Sequence, residues 1–383
     1  MKIGVVGAGS MGSGIAQIAA SFGHEVVVYE KNQDASDRAK TLLDKILIRL
    51  IEKGQIDKEK KMAIQRSITY VSGLSDLKDC GLIVEAIVEN IDVKKAVFSE
   101  LDRIVNDDCL LASNTSSLSI ASISAACTKA ERVMGIHFFN PAPLMPLVEM
   151  IPSVATDTVL LKKARHVIDS WGKKTVIALD TPGFIVNRVA RPFYGEALRI
   201  LEEGIADIPT IDQAMKDHGF RMGPFELMDY IGNDINYTVT ESVFKEFYYD
   251  PRYKPSFTQK RMMESGRLGR KTGLGYYDYT PGVQAPLPSE NKKLKALIFN
   301  RILCMLINEA ADALYLNVAS KNDLETAMTS GVNYPKGLLH WADEIGISKV
   351  LKTLRNLQKD YGEDRYRPSY LLKIMADKKD TFF

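Results

Sequence analysis

The sequence is short of cysteine, of charge of one sign and of long apolar runs, and each shortage excludes a class of protein. Four cysteines occur in 383 residues, at positions 80, 109, 127 and 304, none in a Cys-x-x-Cys pair. This argues against a zinc knuckle or a disulfide framework, and we predict no metal site. Fifty Lys and Arg against 48 Asp and Glu leave a net charge of +2, so no basic field favours nucleic acid or a membrane as a partner. No uninterrupted apolar run reaches the roughly 18 residues of a membrane span.

What remains is the composition of an ordinary globular chain, with 45% apolar and 26% charged residues. At about 100 to 200 residues per domain, the length predicts two or three domains. An apolar strand begins directly after Met1-Lys2, so we expect no signal or transit segment and a cytoplasmic location.

The clearest local pattern is a glycine-rich turn between a strand and a helix. Residues 3–6 form an apolar run typical of a buried parallel strand, and apolar residues at 15, 16, 18 and 19 predict a helix. Between them lies Gly7-Ala8-Gly9-Ser10-Met11-Gly12. The three glycines permit a tight turn, close approach of a pyrophosphate and close helix–strand packing, and the helix N-terminus offers N–H groups to phosphates. The pattern therefore predicts a dinucleotide site.

A carboxylate at the end of the second predicted strand indicates which dinucleotide binds. Glu30 follows residues 25–29 and lies 23 positions after Gly7. A carboxylate there accepts hydrogen bonds from ribose hydroxyls and repels a 2′-phosphate, which favours NAD over NADP. Lys31, beside it, keeps NADP open as an alternative.

Strands and helices continue to alternate, with strands predicted at 82–88, 110–113, 133–138 and 147–151 and helices at 34–53, 58–65 and 93–105. This alternation predicts a Rossmann-type α/β domain, with a mostly parallel sheet and helices on both faces. Ligands bind such sheets beyond the carboxyl ends of the strands. The polar residues predicted at those ends are Glu30, Glu89, Asn114, Ser116 and His137.

Of the five histidines, His137 is the catalytic candidate because an apolar strand delivers it to that rim. Glu149 can hold one ring nitrogen while the other takes a hydroxyl proton, as hydride leaves the same carbon. Ser116 and Asn140 can stabilise the oxygen as it becomes a carbonyl. Taken alone, Glu149 is equally well interpreted as a solvated carboxylate at a strand end.

Five segments occur here in a fixed order: Gly7 to Ala16, Glu85-Ala86-Ile87-Val88-Glu89-Asn90, Ser113-Asn114-Thr115-Ser116-Ser117-Leu118, His137-Phe138-Phe139-Asn140-Pro141, and Asp180-Thr181-Pro182-Gly183-Phe184-Ile185-Val186-Asn187-Arg188. Together they resemble the L-3-hydroxyacyl-CoA dehydrogenase family, which includes the 3-hydroxybutyryl-CoA dehydrogenases, over residues 1 to about 280. The resemblance implies NAD-dependent oxidation of an (S)-3-hydroxyacyl-CoA, of short chain such as 3-hydroxybutyryl-CoA, to the 3-oxoacyl-CoA.

The resemblance also implies site roles. His137 matches the catalytic base and Glu149 its partner, and Ser116 and Asn140 match the residues that hold the substrate oxygen. Other matched positions are Asn187 near the substrate, Asn114 and Ser116 at the cofactor, Glu89 and Lys94 at its nicotinamide half, Lys271 reaching NAD, and Lys53 near coenzyme A. Lys53 lies in a charged helical stretch that is equally well interpreted as a solvated face.

Beyond Pro182-Gly183 the pattern is helical and repeated. Three dipeptides recur 113 positions later, namely Asn187-Arg188 as Asn300-Arg301, Glu196-Ala197 as Glu309-Ala310, and Ala214-Met215 as Ala327-Met328. Gly223, Asp229 and Ile231-Gly232 recur after 114 positions as Gly337, Asp343 and Ile345-Gly346. We therefore predict an NAD-binding domain at 1–182 and two copies of an all-α domain, at 183–285 and 292–383, joined by a polar, proline-rich linker.

In single-copy members of the resembled family, this helical domain forms the dimer interface. A second copy in one chain can take the partner's place, which predicts a monomer with an internal pseudo-dimer, a homodimer being the alternative. No hydratase-like segment is visible, so a separate enoyl-CoA hydratase is an expected partner. Two other functions stay open: a dehydrogenase of a non-CoA 3-hydroxy or sugar acid, and a non-catalytic NAD-binding scaffold. The sequence does not specify the acyl chain length.

Overall fold

The computed structural model describes residues 1–383, which divide into the units Met1–Thr181 and Pro182–Phe383. The first unit is α/β and the second is helical. No helix combines the length and the apolar character needed to cross a membrane.

The first unit is built on one eight-stranded sheet with the order β3-β2-β1-β4-β5-β6-β7-β8. Its strands are β1 Lys2–Val6, β2 Glu25–Tyr29, β3 Ile68–Val71, β4 Leu82–Glu85, β5 Leu110–Ser113, β6 Val133–Phe138, β7 Leu147–Pro152 and β8 Lys174–Ile177. Strands β1 to β6 run parallel, β7 is antiparallel to β6, and β8 is parallel to β7. The order of the first six strands is that of a dinucleotide-binding Rossmann sheet, which confirms the predicted fold class.

Helices connect these strands: α1 Ser10–Ser21, α2 Gln33–Glu52, α3 Lys58–Arg66, α4 Ile91–Ile104, α5 Ile120–Ser124 and α6 Thr158–Ser170. Polar residues fix where five of them begin. The side chains that accept hydrogen bonds from first-turn N–H groups are those of Asn32, Asp57, Asn90, Ser119 and Asp157. By contrast, the N-cap of α1 is Gly9, whose hydrogen side chain supplies no cap.

The structure differs from the predicted strands at three places. The strand predicted for residues 82–88 ends at Glu85, whose carboxylate accepts a hydrogen bond from the Ile87 N–H at 2.7 Å and turns the chain. Strands β3 and β8 were not predicted. They lie at the two edges of the sheet, where each carries fewer buried residues than a central strand.

The helical unit contains two copies of one arrangement. The first has α7 Val186–Val189, α8 Arg191–Glu202, α9 Ile208–Lys216, α10 Pro224–Ile231, α11 Asn233–Glu246 and α12 Phe257–Glu264. The second has α13 Lys292–Tyr315, α14 Lys321–Gly331, α15 Leu338–Ile345, α16 Ile347–Tyr361 and α17 Tyr370–Lys378. The long α13 corresponds to α7 and α8 together. Residues 281–291, between the copies, contain no helix or strand.

The two copies pack through reciprocal buried ion pairs. Arg188 of the first copy donates through Nε to Glu309 Oε1 of the second at 2.7 Å, and Arg301 of the second donates through Nε to Glu196 Oε2 of the first at 2.9 Å. The four charged residues come from two of the three recurring dipeptides, and each ion pair joins one copy to the other. Such exchange, in which i meets j and j meets i, defines an isologous two-fold interface.

Two tyrosine hydroxyls at matching positions of the repeat form hydrogen bonds to the same two carboxylates. Tyr253 donates to Glu309 at 2.6 Å, and Tyr366, 113 positions later, is hydrogen-bonded to Glu196 at 3.1 Å. Neither carboxylate is more than 3% exposed, so each depends on the opposite copy for compensation of its charge.

Candidate active site

The glycine turn between β1 and α1 has the shape that a pyrophosphate requires. Gly7 has φ +103°, a left-handed conformation that favours glycine. A Cβ on Gly12 would collide with the carbonyl oxygen of Gly7, whereas a Cβ position on Gly9 meets no atom within 4 Å. The turn therefore has no room for a side chain at Gly12, but it leaves open space at Gly9. No side chain caps the N-terminus of α1 there. These features fit NAD, with the phosphates against the first-turn N–H groups of α1.

Glu30 stands directly after β2, beside this turn. Its Oε2 accepts a hydrogen bond from the Ala8 N–H at 3.1 Å, and its Oε1 accepts from the Asn32 N–H at 3.0 Å. Two backbone donors thus hold the carboxylate next to Ala8, at the place where a ribose hydroxyl is expected.

A buried charge cluster lies at the end of β4. Lys94 and Glu85 are both 0% exposed, and Lys94 Nζ lies 2.6 Å from Glu85 Oε1. Ser113 Oγ donates to the other Glu85 oxygen at 2.6 Å. Lys94 Nζ also lies 3.4 Å from Glu89 Oε2. In this structure Lys94 holds two acidic side chains in place, and its predicted contact with the nicotinamide half stays a prediction.

Glu89 organises the loop after β5. One of its oxygens accepts hydrogen bonds from the Thr115 hydroxyl at 2.5 Å, the Ser116 N–H at 3.0 Å and the Ser117 hydroxyl at 3.3 Å. Burial opposes ionisation of Glu89, but Lys94 and the Thr115 hydroxyl outweigh it and lower the pKa of the carboxyl. An ionised Glu89 thereby fixes the backbone that carries Ser116.

Two asparagines connect neighbouring elements of the rim. Asn114 Oδ1 accepts from the Phe138 N–H at 2.8 Å, which ties the end of β5 to the end of β6. Asn140, which precedes a cis proline, accepts from the Ser10 hydroxyl of the glycine turn at 3.5 Å. The predicted oxygen-holding residue thus lies beside the predicted pyrophosphate site.

His137 and Glu149 are direct neighbours across the antiparallel strands β6 and β7. His137 Nδ1 lies 2.7 Å from Glu149 Oε2. His137 is 6% exposed and Glu149 is 0% exposed, so the pair is shielded from water. The interpretation of Glu149 as a solvated carboxylate is wrong.

The remaining predicted site residues lie on other elements of the chain. Lys53 is exposed and follows the last residue of α2. In the helical unit, Asn187 lies in α7, and Lys271 makes a salt bridge to Asp234 at 2.5 Å. Their predicted contacts with coenzyme A, substrate and NAD stay predictions.

Sequence analysis missed the parts of the site that act through other residues. Glu85 accepts a hydrogen bond from Lys94 Nζ, and Ser113 donates a hydrogen bond to the other carboxylate oxygen of Glu85. Glu85 therefore anchors Lys94, and Ser113 helps to hold Glu85. An acid ending an otherwise apolar run, Leu-Ile-Val-Glu, is the signal that points to Glu85, because a buried carboxylate needs a partner.

Comparison with known proteins identifies the family. The model of the 3-hydroxyacyl-CoA dehydrogenase NAD-binding domain matches residues 2–181. The model of the 3-hydroxyacyl-CoA dehydrogenase C-terminal domain matches twice, at residues 183–279 and 297–381, which agrees with the duplicated helical domain.

Some relatives match nearly the whole chain, and others match about the first three quarters of its length. The 3-hydroxyadipyl-CoA dehydrogenase of Escherichia coli is 36% identical over 98% of this chain and 97% of its own length. The 3-hydroxybutyryl-CoA dehydrogenase of Clostridioides difficile is 41% identical over 73% of this chain and 99% of its own. A crystal structure of 3-hydroxybutyryl-CoA dehydrogenase from Escherichia coli superposes with a TM-score of 0.93 at 35% identity, covering 99% of this chain and 98% of that one.

The dinucleotide turn agrees with the match to the NAD-binding domain. The chain therefore belongs to the 3-hydroxyacyl-CoA dehydrogenase family and is an NAD-dependent 3-hydroxyacyl-CoA dehydrogenase.

Proposed function

We propose that the chain oxidises short (S)-3-hydroxyacyl-CoA thioesters to 3-oxoacyl-CoA with His137 as the general base. The observation that carries this proposal is the buried His137–Glu149 hydrogen bond of 2.7 Å. Glu149, when ionised, can only accept, so Nδ1 of His137 donates and the basic lone pair belongs to Nε2.

His137 Nε2 takes the proton of the C3 hydroxyl as the carbon becomes a carbonyl. When bound, NAD accepts the hydride that leaves C3. The Glu149 carboxylate then faces an imidazolium at hydrogen-bond distance. Both side chains are buried, and opposite charges attract more strongly there than in bulk water.

Ser116 and Asn140 hold the substrate oxygen as its geometry changes. Glu89 supports this role by accepting from the Ser116 N–H, and the Ser10 contact holds the Asn140 amide. Donors that are already fixed need no reorganisation when charge develops, which is the source of their catalytic effect.

The substrates named for two relatives support a short acyl group. The names of the two relatives above specify a four-carbon acyl group and a six-carbon acyl group with a terminal carboxylate. Both kinds of chain are therefore the first substrates to assay, and 3-hydroxybutyryl-CoA is the reference substrate.

The test is His137→Gln. Gln keeps similar bulk but cannot act as a base at neutral pH, so kcat should fall by about 10²- to 10⁴-fold while the Kd for NADH, measured by fluorescence, stays at the wild-type value. His166→Gln, on the exposed surface of α6, is the matched control and should retain full turnover.

Wild-type turnover in His137→Gln would refute the base assignment. Comparing NADH formation from 3-hydroxybutyryl-CoA and from free 3-hydroxybutyrate tests the thioester requirement. Equal rates would instead support an enzyme of non-CoA hydroxy acids.

A further inference from the structure

The loop that carries Asn140 is held by a buried lysine of the same α/β unit. The loop comprises residues 139–146 and joins β6 to β7. Lys173, which directly precedes the edge strand β8, is 8% exposed. Its Nζ donates to the Ala142 carbonyl at 2.6 Å and to the Met145 carbonyl at 2.7 Å. The side chain therefore ties the backbone of the loop to the start of β8.

The lysine is a strong anchor because it is still charged where it is buried. Burial lowers the pKa of Lys173 to about 8, and no charged group offsets this effect. At neutral pH the ammonium is therefore mostly protonated, and it donates charge-assisted hydrogen bonds, which are roughly twice as strong as neutral ones. Ala142 is 1% exposed, so its carbonyl would be left unsatisfied at a cost in free energy if the lysine were absent.

The loop also packs against α1, the helix that follows the glycine turn. A Cβ on Gly14 of α1 would lie 3.2 Å from the Ala142 Cβ, so helix and loop are in close contact there. Within the loop, the N–H groups of Leu144 and Met145 both donate to the Pro141 carbonyl at 3.0 Å. The loop is therefore a compact turn with two supports, α1 and the buried lysine.

We propose that Lys173 is a positioning residue, which sets the place of the Asn140 amide through this loop. The inference rests on the proposed function, in which Asn140 holds the substrate oxygen. Only Pro141 separates Asn140 from Ala142, and the proline ring fixes the backbone angle φ at that residue. A displacement of the Ala142 carbonyl therefore moves Asn140 with it, and a misplacement of about 1 Å can lower a rate about 100-fold.

The experiment is a double-mutant cycle on the turnover of 3-hydroxybutyryl-CoA, with Lys173→Met, Asn140→Ala and the double variant. Met keeps an unbranched side chain but removes every donor. Lys173→Met should lower kcat about 10- to 100-fold, while the Kd for NADH, measured by fluorescence, stays at the wild-type value. In the Asn140→Ala background the same substitution should lower kcat by a factor of about two or less, because its effect passes through Asn140.

Lys174→Met is the matched control. The Lys174 side chain is exposed, and its contact with the loop is a backbone hydrogen bond, from its N–H to the Pro146 carbonyl at 2.8 Å. The substitution keeps that bond, so kcat should stay at the wild-type value. A loss in Lys174→Met equal to that in Lys173→Met would contradict a specific role of Lys173.

The outcomes separate this inference from the proposed function. Wild-type kcat in Lys173→Met, or an equal fold-loss with and without Asn140, overturns the role of Lys173 alone. Loss of NADH binding in Lys173→Met also overturns it, because the damage then extends beyond the loop. Wild-type turnover in Asn140→Ala overturns the oxygen-holding role of Asn140 and this inference together, and so does absence of turnover of any acyl-CoA by the wild-type chain. If Lys173→Met does not fold, Lys173→Gln keeps an amide donor on a shorter stem, and an equal loss with and without Asn140 is contradictory there as well.

Discussion

At the scale of single residues, Glu30 has an observed role and a proposed one. Its carboxylate accepts from the Ala8 and Asn32 N–H groups, so it shapes the turn. We propose that the same carboxylate selects NAD over NADP by placing negative charge beside the ribose site.

Glu30→Ala should lose NAD preference. We expect kcat/KM with NAD to fall about 10- to 100-fold, because charge-assisted hydrogen bonds to the ribose are lost, and the NADP-to-NAD ratio to rise. Parallel steady-state kinetics with both cofactors measure this. Glu25→Ala, at the other end of β2 and paired with Lys2 on the surface, is the control. An unchanged cofactor ratio in Glu30→Ala would contradict the assignment.

Residues that act directly were easier to predict than residues that act through others. His137 was recognisable because an imidazole after an apolar strand is unusual. Its pairing with Glu149 depends on antiparallel register, which a list of residues does not contain.

At the scale of elements, the contact between α8 and α13 depends on two buried carboxylates. Burial alone would raise the pKa of Glu309, but the guanidinium groups of Arg188 and Arg252 outweigh it and hold the pKa below its usual range. A carboxyl whose pKa is lower in the folded state stabilises the fold above its unfolded pKa of about 4.3, and that contribution is lost as the pH falls through the folded pKa.

Glu309→Gln should therefore lower the free energy of unfolding at pH 7 by about 3 kcal/mol, because Arg188 and Arg252 lose their anion. The difference from wild type should begin to narrow below the unfolded carboxyl pKa of about 4.3 and should keep narrowing as the pH falls through the lower folded pKa of Glu309. Urea unfolding at a series of pH values measures this. Glu264→Gln, in an exposed ion pair of α12, should change stability by less than about 1 kcal/mol at any pH. If the difference in the free energy of unfolding between wild type and Glu309→Gln stays constant across the pH series, ionisation of Glu309 does not stabilise the fold.

Central strands were predictable and edge strands were not. A strand covered on both faces needs a continuous apolar run, as in β4 and β6, and that run is visible in sequence. The edge strands β3 and β8 each have only two fully buried residues at most, so their short mixed sequences resemble loops. The helical repeat was predictable because its spacing is a property of the sequence itself.

At the scale of the whole molecule, the reciprocal pairing within one chain predicts a monomer. The faces that a two-fold dimer buries are already covered by the second copy, through Arg188–Glu309 and Arg301–Glu196. Light scattering after size exclusion should give a mass near 42.7 kDa that does not change with dilution.

Removing residues 292–383 should uncover the first copy's face, so the shortened chain should dimerise or aggregate. The opposite result, a tight dimer of the full chain that dissociates on this truncation, would show that the second copy mediates association between chains. The single-copy relative, which matches 73% of this chain and 99% of its own length, is a natural control for the truncated form.

The crossed ion pairs have a consequence for how this molecule can change. When two identical chains meet across a two-fold axis, every substitution enters the interface twice, and both sides must tolerate it. Here each substitution enters once. Arg199 of the first copy is Asp312 in the second, and Asp312 gives Arg188 and Arg252 an additional carboxylate without a matching change opposite. One copy can therefore be altered for ligand binding while its twin is altered for packing.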